Sequence, residues 1–438
     1  MKKHSILFLL LTASLSTAHA QLIPGVVNQV NKITRDVDAI AEQTRRQAER
    51  DLERVRLDKL IETSATLTDP IRNLPQQLPI VNNQGQTVFI DVTVENGWRA
   101  VQREWLVTLD DKDLNALQNL PIDIIEKNHF DELDITIIRF RVTPELDSLR
   151  ELRKKLPAGV NLTLDRNHIY AAQSDGGTTV SPSTLQSKSA CDDPVKIGMI
   201  DTAIKIDHPA FKSDTKKIIS KDFLEEKLSE PDAHGTAVAG LLIGASETLT
   251  PLLPKASLYA ASVFYARNDY AQGASMMNLV RALNWLLTEN VSVINMSLAG
   301  PDNQILAKVI SKTISNGKMI VAAAGNEGPA APPMFPAAYP GVIAVTAVDR
   351  NHKIYRWANR GKQISFAALG VSVPTVRSTG GIGRESGTSM AAPVVSAFLS
   401  CELQKNINTK DAIQNLAARA IDLGDKGKDE VFGYGLLK

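Results

Sequence analysis

Four polar side chains stand at the ends of apolar runs, where the crevice of an α/β sheet would collect them. Asp201 closes "VKIGMID", His234 opens "HGTAVAGLL", Asn326 follows "MIVAAAG", and Ser389 begins the helix-like run "SMAAPVVSAFL". In an open parallel sheet, ligands bind beyond the carboxyl ends of the strands, so all four belong to one crevice. A serine hydroxyl is a weak nucleophile. It needs a base to take its proton, and an imidazole base needs a carboxylate to fix its tautomer. Ser389, His234 and Asp201 fill those positions in the chain order Asp, His, Ser. The carboxamide of Asn326, beside Gly325, offers a donor for the oxyanion that forms on an attacked carbonyl, and a helix starting at Ser389 adds partial positive charge nearby. Singly, each residue also has a structural reading: serine as an N-cap, aspartate and Asn-Glu-Gly as turns, histidine as the opening residue of a helix. As an ordered set they favour nucleophilic catalysis.

Elements able to position this set are visible in the patterning. "VKIGMID", "SLYAASVF", "VSVINMSL", "MIVAAAGN" and "VIAVTAV" are near-continuous apolar runs, as expected for strands covered on both faces. "NLVRALNWLLTEN" and "ILAKVISKTISNG" supply crossover helices between them, the second ending at Asn316-Gly317 as a C-cap should. The expected fold over residues 191–438 is α/β, a doubly wound parallel sheet. Ahead of it, residues 98–173 read as strand, helix, strand, strand, helix, strand, with Thr143 capping the second helix and Pro144 at its first position. That order suits a small ferredoxin-like α+β domain. Residues 174–190, rich in Ser, Thr and Gly, read as an exposed linker. In the N-terminal segment 21–75, Val26, Val30, Ile33, Val37 and Ile40 recur at helical spacing, and the charged run after them continues the pattern. Such a helix, over residues 26–62, either meets a partner or packs on its own chain.

The 438 residues carry 49 basic and 48 acidic side chains, a balance that argues against nucleic acid as a partner. Lys2 and Lys3, the apolar run from Ile6 to Leu11, and Ala18 and Ala20 in small-x-small spacing read as an export signal over residues 1–20, cut after Ala20. Gln21 follows where a lipid anchor would require cysteine. No apolar run reaches the roughly 18 to 20 residues that span a bilayer, so no transmembrane segment is expected. The expected location is periplasmic or secreted.

Taken together, the segments resemble the subtilisin family of serine proteases from about Val195 to Leu437. "IGMIDTAIKIDHPAF" is similar to the family's aspartate motif, "HGTAVAG" to its histidine motif, "INMSLAG" to its substrate-binding strand, "VAAAGNEGP" to its oxyanion asparagine motif and "GTSMAAP" to its serine motif. The resemblance implies an endopeptidase in which Asp201, His234 and Ser389 form the triad and Asn326 is the oxyanion donor, with no cofactor. It further implies that Ser297, Leu298, Ala299 and Gly300 line a cleft that pairs with an extended polypeptide substrate, with Met334 near the floor of the pocket for the residue preceding the cut. No acidic residue in these segments would attract a basic side chain, so medium apolar or aromatic residues are expected there. Members of the family carry a βαββαβ prodomain whose last strand lies in the cleft, and "RNHIYAAQS" resembles such a tail; a permanent regulatory domain is the alternative.

Departures from the pattern are few. Ala237 stands where members commonly have a second histidine, outside the triad, and "IGASETLTPLLP" offers only Glu247 where many carry a calcium loop, so no metal is expected there. The α/β-hydrolase elbow is disfavoured because Gly387-Thr388-Ser389-Met390-Ala391 lacks the final glycine and the histidine precedes the serine. A non-catalytic binding relative would normally have lost one of the four groups. Cys191 precedes the strand ending at Asp201 and Cys401 lies about three turns beyond Ser389, so both fall toward the opposite end of the sheet, where in an oxidising compartment they can pair.

Overall fold

The computed structural model describes residues 74–109, 117, 120–156, 162–172, 175–178, 188–212, 217–225, 227–268, 271–405 and 407–438. By contacts the chain divides into Met1–Asn73 and Leu74–Lys438. The export signal over 1–20, nearly all of segment 21–75, most of linker 174–190 and most of the first helix expected after residue 110 lie outside the described residues.

Strands β1 (Gln77–Val81), β2 (Thr87–Thr93), β3 (Arg99–Leu109), β4 (Ile122–Phe130), β5 (Ile135–Val142) and β6 (Leu162–Ala172) build an antiparallel sheet, with helix α1 (Leu149–Lys155) between the last two. β3 serves both β2 and β5 because Arg103, at φ +57°, bends it: Arg99 to Val101 pair with β2 and Glu104 to Thr108 with β5. β6 runs along the other side of β3, giving the order β6–β3–β5–β4. Pairing thus begins at Gln77 and not near residue 98, where the sequence placed the first strand. Pro79 masks β1 as a strand; it is tolerated there because β1 pairs only with β2. A second expectation is corrected at α1. Thr143 makes no side-chain cap; Pro144–Leu146 is a single 3-10 turn, and Ser148 caps α1 by accepting from Glu151 N at 3.2 Å. The two turns separate at Asp147, whose carboxylate is drawn off to Trp105 Nε1 (3.0 Å) and Arg166 (2.6 Å).

After β7 (Asp175–Thr178) the chain enters a parallel sheet. Its strands β8 (Lys196–Asp201), β9 (Lys217–Asp222), β10 (Ser257–Ser262), β13 (Val293–Met296), β15 (Met319–Ala323), β16 (Ile343–Val348), β17 (Ile364–Leu369) and β20 (Leu436–Leu437) lie in the order β9–β10–β8–β13–β15–β16–β17–β20. Helices α3 (Met276–Thr288) and α4 (Gln304–Ser315) cover one face, against Ile200, Ile294 and Ile320; α2 (Ala233–Ile243) and α5 (Thr388–Leu403) cover the other, against Ile197, Met199, Val321 and Val345. α6 (Thr409–Arg419) packs outside α5. Short strands β11 (Tyr265–Ala266), β12 (Gln272–Ser275) and β14 (Leu298–Ala299), and the hairpin of β18 (Val373–Val376) and β19 (Ile382–Ser386), sit off the main sheet. All of α5 except Val394 and Leu403 is buried, which is why its sequence is small and apolar all round. Cys191 and Cys401 are joined with a Cα–Cα distance of 5.9 Å, tying the segment before β8 to the end of α5.

The antiparallel sheet is clamped on the helix pair α3/α4. Leu106, Ile135 and Ile137 share one apolar cluster with Leu279, Leu283, Leu306 and Ile310. β6 also caps both helices: Asn167 Oδ1 accepts from Met277 N (3.2 Å) and Asp165 Oδ2 accepts from Gln304 N (2.8 Å). Ion pairs Asp91–Arg267 (2.6 Å), Glu126–Arg281 (2.7 Å) and Arg139–Glu225 (2.6 Å) cross the same boundary. His168 Nδ1 accepts from Asn303 Nδ2 at 2.9 Å, so the ring is neutral with its proton on Nε2; the 3.8 Å approach of Asp165 is therefore not an ion pair.

Burial, and then the neighbouring Arg166 charge, push the His168 pKa down from 6.5 to about 4, against a smaller opposing effect of Glu95. The unfolded chain binds a proton that the folded chain refuses in this window, so stability falls as pH drops from 6.5 to 4, by up to about 1.4 kcal/mol per pH unit. Denaturant titrations between pH 7 and 4.5 should show a shallower pH slope in His168→Gln than in the parent. The disulfide closes a loop of 210 residues. In the chain-entropy account its loss costs on the order of 5 kcal/mol, so Cys191→Ser/Cys401→Ser should unfold at clearly lower denaturant than the oxidised protein.

Candidate active site

Asp201 is the last residue of β8, between β10 and β13, and is fully buried. His234 is the second residue of α2. The next residue must be glycine: a Cβ on Gly235 would run into the carbonyl oxygens of Thr202 and Ala203, and its N–H donates to Thr202 Oγ1 at 2.7 Å. The first turn of α2 therefore lies directly on the backbone that follows Asp201. His234 Nδ1 and Asp201 Oδ1 are 2.6 Å apart, and Thr202 N donates to the same oxygen at 2.7 Å. A carboxylate only accepts, so Nδ1 donates and Nε2 is the nitrogen that can take a proton.

Ser389, also buried, is the second residue of α5, after Gly387 at φ +145°, a backbone conformation that side chains other than glycine's rarely allow. Pro393 sits four residues further on and has no N–H for the Ser389 carbonyl. Ser297 Oγ takes that role, donating to Ser389 O at 3.0 Å. Ser297 in turn accepts from Asn295 Nδ2 (2.9 Å), whose Oδ1 accepts from Ser396 Oγ (3.0 Å), a buried network from the end of β13 to the third turn of α5. Met390, beside Ser389, shares a core cluster with Ala237 and Val238 of α2, which sets the opening turns of the two helices side by side.

Asn326 follows β15 through Gly325, at φ +110°. Its Oδ1 accepts from Thr388 N (3.0 Å) and Thr388 Oγ1 (2.9 Å), and Thr388 Oγ1 accepts from Gly325 N (3.2 Å). With its oxygen held by the residue before Ser389, the carboxamide presents its donor nitrogen on the other side.

The segment expected to line a cleft is paired with β6. β6 runs antiparallel to β14, with Leu298 opposite Ala172 and Ala299 opposite Ala171. On its other edge Tyr170 and Ile169 oppose Ala274 and Ser275 of β12. Tyr170 is fully buried and donates its hydroxyl to Pro301 O at 3.0 Å; its ring fills the place a Cβ on Gly300 would take. Gly300 also exchanges backbone bonds with Phe335 (2.9 and 3.1 Å), which places Met334, buried, next to the same wall. The side chain of Ser297 points to the Ser389 carbonyl. Beyond the cleft, β7 pairs antiparallel with β19, Asp175 opposite Ser386 and Thr178 opposite Arg384. Thr388, Asn295, Ser396 and β19 carry this arrangement and were not singled out by sequence reasoning; the signal for the first three is a polar residue inside an otherwise apolar run.

The family profile described as the subtilase family matches residues 192–435. Subtilisin E of Bacillus subtilis (strain 168) is 30% identical over 285 residues, 62% of this chain and 71% of that protein. The minor extracellular protease Epr of the same organism is 29% identical over 218 residues, 48% of this chain but only 33% of Epr. Its major intracellular serine protease is 29% identical over 249 residues, 52% of this chain and 76% of that protein. A helix-borne serine, a buried Asp–His pair and an asparagine whose carboxamide is bonded to the residue before that serine agree with that match over more than half of the sequence: the chain belongs to the subtilase family and is a serine-type endopeptidase.

Proposed function

We propose that the chain is an exported endopeptidase whose nucleophile is Ser389, with His234 as general base and then acid, Asp201 as the group that orients it, and Asn326 as oxyanion donor. The 2.6 Å bond from His234 Nδ1 to Asp201 carries this reading, because it fixes the tautomer that Ser389 needs. Ser389 Oγ attacks the substrate carbonyl while its proton passes to His234 Nε2. The negative charge moves to the former carbonyl oxygen, where Asn326 Nδ2 and the first N–H groups of α5 stabilise it. His234 hands the proton to the departing amine, and water, deprotonated by the same imidazole, hydrolyses the acyl-Ser389.

Ser297, Leu298, Ala299 and Gly300 hold the substrate by strand addition, as β14 holds β6, with Met334 below the residue preceding the cut. The antiparallel sheet from Gln77 to Ala172 acts as a prodomain that occupies this cleft and is removed by self-cleavage. Export rests on the segment 1–20, since the names of relatives point to both sides of the membrane.

A serine-directed fluorophosphonate should label Ser389 in the processed protein and leave His234→Ala unlabelled; absence of label in folded, processed protein would remove the catalytic reading. Asn326→Ala should lower kcat by about 10² to 10³ with little change in KM, a magnitude carried over from subtilisin itself. A change confined to KM would assign Asn326 to substrate binding. Ser389→Ala should keep the antiparallel sheet covalently attached, while the parent separates at a rate independent of protein concentration, as an intramolecular cut requires. A parent that stays whole yet cleaves peptides would make the sheet a permanent regulatory module.

A further inference from the structure

We infer that Ser297 and Asn295 are positioning residues for Ser389, acting through the direction in which one buried hydroxyl points its proton. The inference rests on the reading of Ser389 as nucleophile and adds how its backbone is held during attack. Ser389, Ser297, Asn295 and Ser396 are all fully buried, so each donor among them must find its acceptor within the protein. Pro393 supplies no N–H to the Ser389 carbonyl, and Ser297 Oγ lies 3.0 Å from that oxygen. A hydroxyl has a single proton to donate. With the Ser297 proton on the carbonyl, the other neighbour of Oγ must be a donor, and Asn295 Nδ2 stands there at 2.9 Å. The carboxamide is kept that way round by Ser396 Oγ, which donates to Asn295 Oδ1 at 3.0 Å.

A competing arrangement exists on the same atoms. Ser396 Oγ also lies 3.0 Å from Ala392 O; with its proton there and the Asn295 amide turned over, Nδ2 would donate to Ser396 and Oδ1 would take the Ser297 proton. Each side chain would still have a partner. Only the Ser389 carbonyl would have lost the Ser297 donor, so the two arrangements differ at the residue that attacks. Asn295 is also placed to transmit position. On β13 it stands opposite Met199 of β8, the strand that ends at Asp201, and opposite Val321 of β15, the strand that leads to Asn326. The relay therefore ties the first turn of α5 to the strands that carry its partners. Without it that turn must shift to meet another donor, and a displacement of about 1 Å at a reacting atom costs on the order of 10²-fold in rate.

The test reads kcat and KM on an extended peptide, the rate of fluorophosphonate labelling at Ser389, and the denaturant midpoint of each variant. Ser297→Ala keeps the backbone of the strand proposed to hold substrate, so kcat and the labelling rate should fall by about 10- to 100-fold with KM little changed. Asn295→Leu should act in the same direction, because Ser396 retains Ala392 O as an acceptor and Ser297 alone loses its partner. Ser400→Ala removes a buried hydroxyl of α5 that donates to Ser396 O at 2.8 Å outside the relay; it should lower the midpoint and leave kcat at the parental value. Pro393→Ala returns an N–H four residues after Ser389, so Ser297→Ala should cost far less kcat in that background than in the parent. An equal loss in both backgrounds overturns the inference, as do Ser297→Ala and Asn295→Leu at parental kcat, or a change confined to KM. A folded parent that takes no label at Ser389 overturns instead the reading of Ser389 as nucleophile.

Discussion

One missing hydrogen governs the centre of this molecule. Pro393 cannot donate to the carbonyl of Ser389, and a carbonyl buried without a donor costs about 1 to 3 kcal/mol. The deficit is met from outside the helix, by Ser297, and through Ser297 by Asn295 and Ser396. The result is that the backbone of Ser389, the proposed nucleophile, is referenced to the end of β13, the strand that leads into β14. The strand proposed to hold substrate and the residue proposed to attack it thus share a buried polar link. Gly235 does the same for His234, the proposed base, since only a residue without a side chain lets the start of α2 rest on the backbone after Asp201.

The antiparallel sheet uses the same economy of backbone. β6 contributes strand pairing to β12 and β14, and its Asp165 and Asn167 satisfy N–H groups that helices α4 and α3 leave open. A helix cap is worth about 1 kcal/mol, so the two together are a modest part of an interface whose apolar cluster is large. The crossing ion pairs act differently. Asp91 and Arg267 are buried, and desolvation offsets much of their attraction. Their effect is to fix the register of the sheet on the helix pair, because a shifted sheet would leave charges buried without partners.

Much of this was legible in the sequence because it lies in local patterns. Apolar runs ending at Asp201 and Asn326 gave strands, spacing gave α3 and α4, and Gly317 at φ +75° closes α4 where its Asn-Gly pair predicted. Asp201 meets His234, and Asn326 meets Thr388 beside Ser389, beyond strand ends that a parallel sheet places along one edge. What escaped was non-local. The roles of Asn295 and Ser396 exist only across elements about a hundred residues apart, and β19 is a hairpin strand without an apolar alternation to betray it. Ser148 displaced Thr143 as a cap because a distant arginine, Arg166, holds the aspartate between them.

If the antiparallel sheet is the prodomain proposed above, a chain paired by strands on both sides would be substrate and inhibitor in the same pose. A cut between β6 and β7 would leave almost all of the contacts in place: the ladder to β14, the seat of Tyr170 and the two helix caps lie on the β6 side, and the ladder to β19 on the β7 side. The antiparallel sheet is held by a cluster running from Leu106 to Ile310, so its departure is not a local fraying of the tail but the loss of a whole interface. On that reading, chemistry at Ser389 and release of the sheet would be separate events with separate barriers. The interactions that would present the bond to Ser389 are the same ones that would delay the entry of any other polypeptide.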